Sequence, residues 1–302
     1  MRLTPWFVSL LLIWVTPLSA KLINTGPKSI PVGPDGTVGE NVVKTEVGFG
    51  GYLSGAKKVV VPIIAVAFES SAKARTGNGT STGYVTHSLE TRLSVDEKTM
   101  QAISDELQAI VEQDLAKSGF EVLPKDTLDH DPLWTAIPKD GKPGAEIGDN
   151  FLSGFGGNGV MNRWYTAGNR PLFGTGSGGA LDSVAALLKI AKQKQVTILA
   201  YRFKVQYTEI DGQNHVFFSS VKGKNQLHMA SADLSVITPD HILGGLVKLK
   251  ADLIAGSDYV ESNSGDKGSY LITANPERYK TGSLLLIKAV SPQFAQLLRQ
   301  AQ

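Results

Sequence analysis

Residues 94–123 read SVDEKTMQAISDELQAIVEQDLAKSGFEVL, and this stretch decides the fold. Ser94 and Glu97 stand at capping-box spacing, in which each side chain satisfies a backbone donor at a helix start. Met100, Ile103, Leu107, Val111 and Leu115 recur every three or four residues. A helix over 94–118 therefore carries one apolar stripe that must be covered. Gly119 supplies a stop, and residues 120–123 continue directly as a short strand. Upstream, residues 59–68 (VVVPIIAVAF) are apolar almost throughout, as in a strand buried on both faces. Pro62 predicts a bulge or an edge near the start of that strand. Residues 84–93 read as a second extended segment, with Val85, His87, Leu89, Thr91 and Leu93 on one face. The two segments form a long hairpin, and the run from Lys57 is β-β-α-β.

The chain changes character over residues 124–180. Pro132, Pro138, Pro143 and Pro171, glycine patches at 154–159 and 174–179, and scattered aromatics mark a long inserted loop. Loops of that length are usually functional or disordered, and the aromatics argue for order. A second helix begins near Leu181, with Leu181, Val184, Leu187, Leu188 and Ala191 on one face. Residues 196–207 (VTILAYRFKVQY) are a strand, and Asp211-Gly212 reads as a hairpin turn. Further strands are expected at 216–221, 227–237 and 246–254, a polar loop at 258–268, and a helix at 276–300 interrupted by Pro292. The fold class expected is α/β of the α+β kind. It has a mixed, largely antiparallel sheet, two amphipathic helices (94–118 and 181–192) on one face, and a Gly- and aromatic-rich insertion. Residues 57–302 form a single α/β domain with loop 124–180 inserted. Residues 21–56 form an extended N-terminal arm with a short strand at most.

The composition excludes several function classes. Of 302 residues, 30 are Lys or Arg and 28 Asp or Glu, for a net charge of +2. A balance that even excludes a chain-wide basic surface for nucleic acid, so no nucleic-acid partner is expected. Hydrophobic content of 42% against 19% charged describes a foldable globular chain. With no cysteine, disulfides, thiolate metal sites, a cysteine nucleophile and lipid attachment through an N-terminal cysteine are all excluded. Residues 1–20 (MRLTPWFVSLLLIWVTPLSA) join a positive start at Arg2 to an apolar run over 6–15, a break at Pro17 and a cleavage site at Leu18-Ser19-Ala20. That is the pattern of a cleaved signal peptide, and the run is short of the ~20 residues of a bilayer span. The expected location is periplasmic or outer-membrane-associated, with no transmembrane helix in the mature chain.

Three segments in order carry a family resemblance: helix 94–118 running into SGFEVL (118–123), KQKQVTILAYRF (192–203) after the second helix, and ASADLSVITPDHIL (230–243). Together they resemble the periplasmic α/β domain of the curli secretion channel (CsgG-like) family and related TolB N-terminal-like domains, over residues 57–255 with 124–180 inserted. The resemblance implies a scaffold or accessory in envelope assembly or secretion, with envelope or secreted proteins, or a second copy of itself, as partners. Channel members of that family are usually lipoproteins, and this chain has no cysteine to carry a lipid. Membrane hairpins also need strands of ~9–11 residues with an apolar outer face. Lys204, Glu209, Lys222 and Lys224 sit in the comparable hairpin, so pore formation is not carried over.

The short motifs lack the context their chemistry needs. Residues 79–83 (GTSTG) match the G-x-S-x-G nucleophile elbow, but a strand, not a helix, follows Ser81. Residues 154–159 fit G-x-G-x-x-G without the flanking strand and helix, and 174–179 lacks the Lys and Ser/Thr of a phosphate loop. Asp129-His130-Asp131 is the densest potential metal or acid–base cluster, yet neighbours on an extended chain point in alternate directions. Neither a metal nor a cofactor is expected. Arg163, Trp164 and Tyr165 are the candidate partner-binding residues, because Arg, Trp and Tyr dominate interface hot spots; the competing reading is plain packing of the loop. The sequence leans away from an enzyme and toward an exported, non-enzymatic envelope protein. The alternatives are a secreted hydrolase using Ser81, His87 and residues 129–131, or a small-molecule binding protein with the aromatic loop as a lid.

Overall fold

The computed structural model describes residues 29–39, 42–47, 57–80, 83–137, 141–148, 159–172, 180–214, 219–240, 245–266 and 268–302. Residues 1–20, expected to be a signal peptide, Ser81, and residues 154–158 and 174–179 lie outside the described residues. The apolar run 59–68 opens a single strand, β3 (Lys58–Thr80), to which the rest of the fold is referred. It returns as β4 (Gly83–Ser94) in the expected hairpin, paired from Ser71↔Arg92 to Thr80↔Gly83. At Pro62 the register against the neighbouring strand shifts between Val60 and Ile63, the irregularity that a residue without an N–H imposes on a ladder.

The stripe at 100–115 forms α1 (Glu97–Lys117), with Met100, Ile103, Leu107, Val111 and Leu115 all buried. Its N-cap is Asp96, whose carboxylate accepts from the Thr99 N–H at 2.8 Å. Ser94 does not cap, because it is still strand, paired with Thr273. Gly119 adopts φ +91° and ends the helix, and β5 (Glu121–Leu123) lies parallel to the start of β3.

The insertion 124–180 is more ordered than a loop. It holds a one-turn helix, α2 (Pro132–Thr135), and an antiparallel pair, β6 (Glu146–Gly148) and β7 (Gly159–Thr166). β7 pairs along β3 from Ala65 to Lys73. Helix α3 (Ala180–Lys194) then leads into β8 (Thr197–Asn214), which lies parallel to β3 on its other edge, and β8 pairs with β9 (Ser219–Ile237). Asp211-Gly212 is not the turn. These residues sit inside β8, opposite Lys222 and Val221, and the ribbon continues to Asn214↔Ser219.

Residues 246–254 split into β10 (Gly245–Leu249) and β11 (Leu253–Gly256). The polar segment 258–268 contains β12 (Val260–Asp266), an outer strand paired with β13 (Ser269–Ala274). Its residues are mostly exposed, so no apolar alternation announces it. Residues 276–300 form one continuous helix, α4 (Pro276–Gln300). Pro292 is tolerated because it and Lys288, whose carbonyl it leaves unbonded, both lie on the exposed side. Two short strands from the arm, β1 (Ile30–Pro31) and β2 (Val43–Val47), join the sheet beside β11 and β10.

The sheet runs β1-β11-β9-β8-β3-β4-β13-β12, mixed and largely antiparallel, with helices packed on it. The fold class is therefore α+β. Strand alternation sends Val59, Val61, Ile64, Val66 and Phe68 of β3 into one core with α1 and α4. Val60 and Ile63 face a second core with Trp134 of α2 and Leu187, Ile190 and Ala191 of α3. Two amphipathic helices do share a face, but the companion of α1 is α4, and α3 lies on the opposite face. Connection handedness explains this. The crossover through α1 moves to one edge of β3 and the crossover through α3 moves to the other. Right-handed crossovers of opposite direction place their helices on opposite faces.

One backbone contact ties the β12–β13 hairpin to β4. Glu90 N–H donates to the Gly268 carbonyl at 2.7 Å. Gly268 has φ +84°, and a Cβ there would lie 2.3 Å from the Ser88 carbonyl oxygen. Gly268→Val is expected to cost about 1–3 kcal/mol of strain and to speed hydrogen exchange at Glu90 and Tyr270. Unchanged exchange at those amides would refute this account of the tie.

Candidate functional site

The long strands position the candidate site at a fork. β3 keeps β8 as its neighbour up to Phe68↔Val205, and from Ser71 onward β4 takes that edge. β8 leaves with β9 as its partner. Because β3 and β8 are parallel, both hairpins leave the same end of the sheet as β-ribbons. Thr91 and Thr208 are hydrogen-bonded through their hydroxyls at 3.1 Å, joining β4 to β8 where the ribbons separate.

On one side of the fork lies an open groove of about 530 Å³, lined by residues including Ser70, Arg92, Val95, Glu146, Arg163 and Leu271. A register shift in β3 between Glu69 and Ser71 turns Ser70 into this groove. Its hydroxyl donates to the Glu146 carboxylate, with the Met161 carbonyl oxygen 3.1 Å away. Arg92 donates to Glu90 through Nε and Nη2 at 3.0 and 2.8 Å. Arg163 sits 3.7 Å from Glu97 at the start of α1. Tyr270 and Leu271 on β13 are the exposed large apolar residues among those described. The groove thus sets two guanidinium groups, each beside a glutamate, and the Glu146 carboxylate against a small apolar wall.

The three candidate partner-binding residues divide here. Arg163 points into the groove with 37% of its side chain exposed. Trp164, on the opposite face of β7, is buried against Ala65, Ala67 and Leu172. Tyr165 is buried in the main core, edge-on to Phe68 at 6.0 Å, and burial raises its hydroxyl above the usual tyrosine range. Alternation puts Trp164 on the face opposite Arg163 and Tyr165, and Tyr165 is turned into the core, so the three do not form one surface anchor. Sequence reasoning missed Ser70 and Arg92, on the two strands of the first hairpin, and Glu146, on a strand remote in the chain; the bulge that turns Ser70 outward leaves no mark in the sequence.

The hydrolase candidates are not brought together. His87 lies in the first ribbon, opposite Thr76. Leu128, beside the acidic cluster, packs with Val60 and Ile63 at the far end of β3. At about 3.3 Å per residue, the separation along β3 from Val60 to Thr76 is roughly 50 Å. Within the cluster, Asp129 binds Arg170 at 2.7 Å. Asp131 caps α2 through the Leu133 N–H and lies 3.3 Å from Lys194, while His130 is exposed.

Glu69 is buried at 1% exposure on the inner side of the fork. Its Oε2 accepts from the N–H groups of Tyr207 at 3.0 Å and Thr208 at 3.3 Å. Its Oε1 has no hydrogen-bond partner. Burial pushes this carboxyl up to about 7, against the smaller opposing effects of the two N–H groups, the Thr208 hydroxyl and Lys204.

The arrangement defines the chain as an α+β protein with one curled mixed sheet from which two long ribbons leave side by side. Comparison with protein families, with curated proteins and with solved structures returned no match.

Proposed function

We propose that this chain is an exported, non-enzymatic envelope protein, a periplasmic scaffold or accessory in envelope assembly or secretion. It binds an envelope protein, a secreted protein or a second copy of itself at the base of the ribbons. The observation that carries this reading is the fork: two ribbons, paired to Thr80↔Gly83 and Asn214↔Ser219, leave one end of the sheet beside a groove with two arginines. Paired strands that run on past their last neighbour in the body present unsatisfied edges, which are templates for pairing with another chain. The test combines cell fractionation with size-exclusion and light scattering on the mature protein. The expected result is an assembly larger than one chain in the envelope fraction, dissociated by the double variant Arg92→Glu with Arg163→Glu. A monomer that stays with the cytosolic fraction sinks the proposal.

No helix among the described residues is long and apolar enough to cross a membrane.

A further inference from the structure

A strand that exchanges one neighbour for another must satisfy the backbone groups stranded at the exchange. At this fork the N–H groups of Tyr207 and Thr208 are met by a side chain, the Glu69 carboxyl, and not by the β3 backbone. The surrounding elements put few charges on it. β8 supplies Lys204, the cation that acts on Glu69, and the Tyr207 hydroxyl. β9 supplies His228, opposite Gln206 in the register, with its Nδ1 2.8 Å from the Gln226 carbonyl oxygen. β7 places Asn162 opposite Glu69 and β4 places Thr91 nearby, both uncharged. From the α4 side come Tyr259, which donates to the Tyr207 carbonyl at 3.3 Å, and Tyr279, packed edge-on to Tyr259 at 5.8 Å. The hydroxyls of Tyr207 and Tyr279, like Glu69 Oε1, have no hydrogen-bond partner.

A neutral carboxyl suits this pocket and a carboxylate does not. In the neutral acid, Oε2 still accepts both N–H groups, and Oε1, which has no hydrogen-bond partner, carries no charge into the apolar and aromatic surround. In the ionised form a charge lies in an apolar and aromatic surround with a single cation opposing it, and the compensating solvent is outside. We propose that Glu69 is a proton-operated latch on the fork: protonated, it holds the two ribbons at one fixed angle; ionised, it admits water between β4 and β8 and lets the ribbons swing. The burial that lifts this carboxyl to about 7 puts the change near neutral pH. The proposal stands on the fork geometry and does not depend on the functional reading above.

The chain has no cysteine, so two can be introduced without background. Spin labels at Thr86→Cys on one ribbon and Ser220→Cys on the other report the inter-ribbon distance at pH 5.5 and pH 8.5. The expected result is one narrow distance at pH 5.5 and a broad distribution at pH 8.5, with a midpoint near 7. Adding Glu69→Gln, which keeps the neutral shape, should hold the narrow distance at both pH values. Adding His228→Gln should leave the transition in place. A distance that ignores pH, or a transition that survives Glu69→Gln or disappears with His228→Gln, overturns the latch. Where Glu69→Gln fails to fold, the unsubstituted protein decides the question through the carbon resonance of the Glu69 carboxyl. Titration near 7 supports the latch, and titration in the ordinary glutamate range near 4 overturns it.

Discussion

Phe68→Ala is expected to lower stability by about 3–5 kcal/mol. Phe68 is fully buried where β3 meets both helices of the main face. Its ring lies 6.0 Å from Tyr165 and 6.3 Å from Tyr279, so truncation breaks aromatic contacts to β7 and α4 together. The residue is also adjacent to Glu69, and the backbone there is committed by ladders on both edges, so the site has little freedom to collapse into the cavity. A domain of this size loses roughly 10 °C of melting temperature for such a change. Thermal unfolding followed by circular dichroism measures it. A loss below about 1 kcal/mol would mean that the three elements do not share one core.

The second large effect is on pH. Glu69 is lifted from 4.5 to about 7 and Asp233 from 3.8 to about 6, in both cases because burial penalises the charge. Lys248 and Arg202 oppose the shift at Asp233. The folded state therefore binds more protons than the unfolded chain between about pH 4 and 7, and stability falls as pH rises through that interval. The stabilisation is complete below the unfolded values and gone above about 7. Asp96 and Glu46 act in the other direction. Thr99 holds Asp96 below the usual carboxylate range and Lys248 does the same for Glu46, so their contribution is lost only on further acidification. Urea midpoints measured from pH 4.5 to 8.5 should peak near pH 5 and decline toward 8, with the upper part of the decline flattened in Glu69→Gln. A midpoint that climbs from pH 5 to 8 contradicts the burial of these two carboxyls.

Periodicity made the helices and the first hairpin legible. The stripe from Met100 to Leu115 and the run 59–68 carry enough apolar residues at fixed spacing to predict α1 and the buried half of β3. What could not be read was set by pairing and not by composition. β12 is a mostly exposed outer strand, so its residues carry no alternation. β7 lies within a Gly- and aromatic-rich stretch and is a strand because β3 offers it an edge from Ala65 to Lys73. The face on which α3 lies depends on crossover handedness, which acts between elements and leaves no mark in the helix itself. At the candidate site, Arg163 was legible as a residue type, but its separation from Trp164 required knowing that 159–166 is a strand. Glu69 directly follows the apolar run 59–68, and its burial follows only from the fork.

The way β3 is shared also governs how the chain reaches this state. Its ladder cannot close until residues far apart along the polypeptide have been supplied, with β8 more than a hundred residues away and β1 waiting for β11 at Leu253. Phe294 meets the stacked Tyr201–Phe203 pair of β8 only once α4 has docked. High contact order of this kind makes folding slow and leaves adhesive strands uncovered during the wait. Closure of the β3 ladder is therefore expected to limit the rate of refolding.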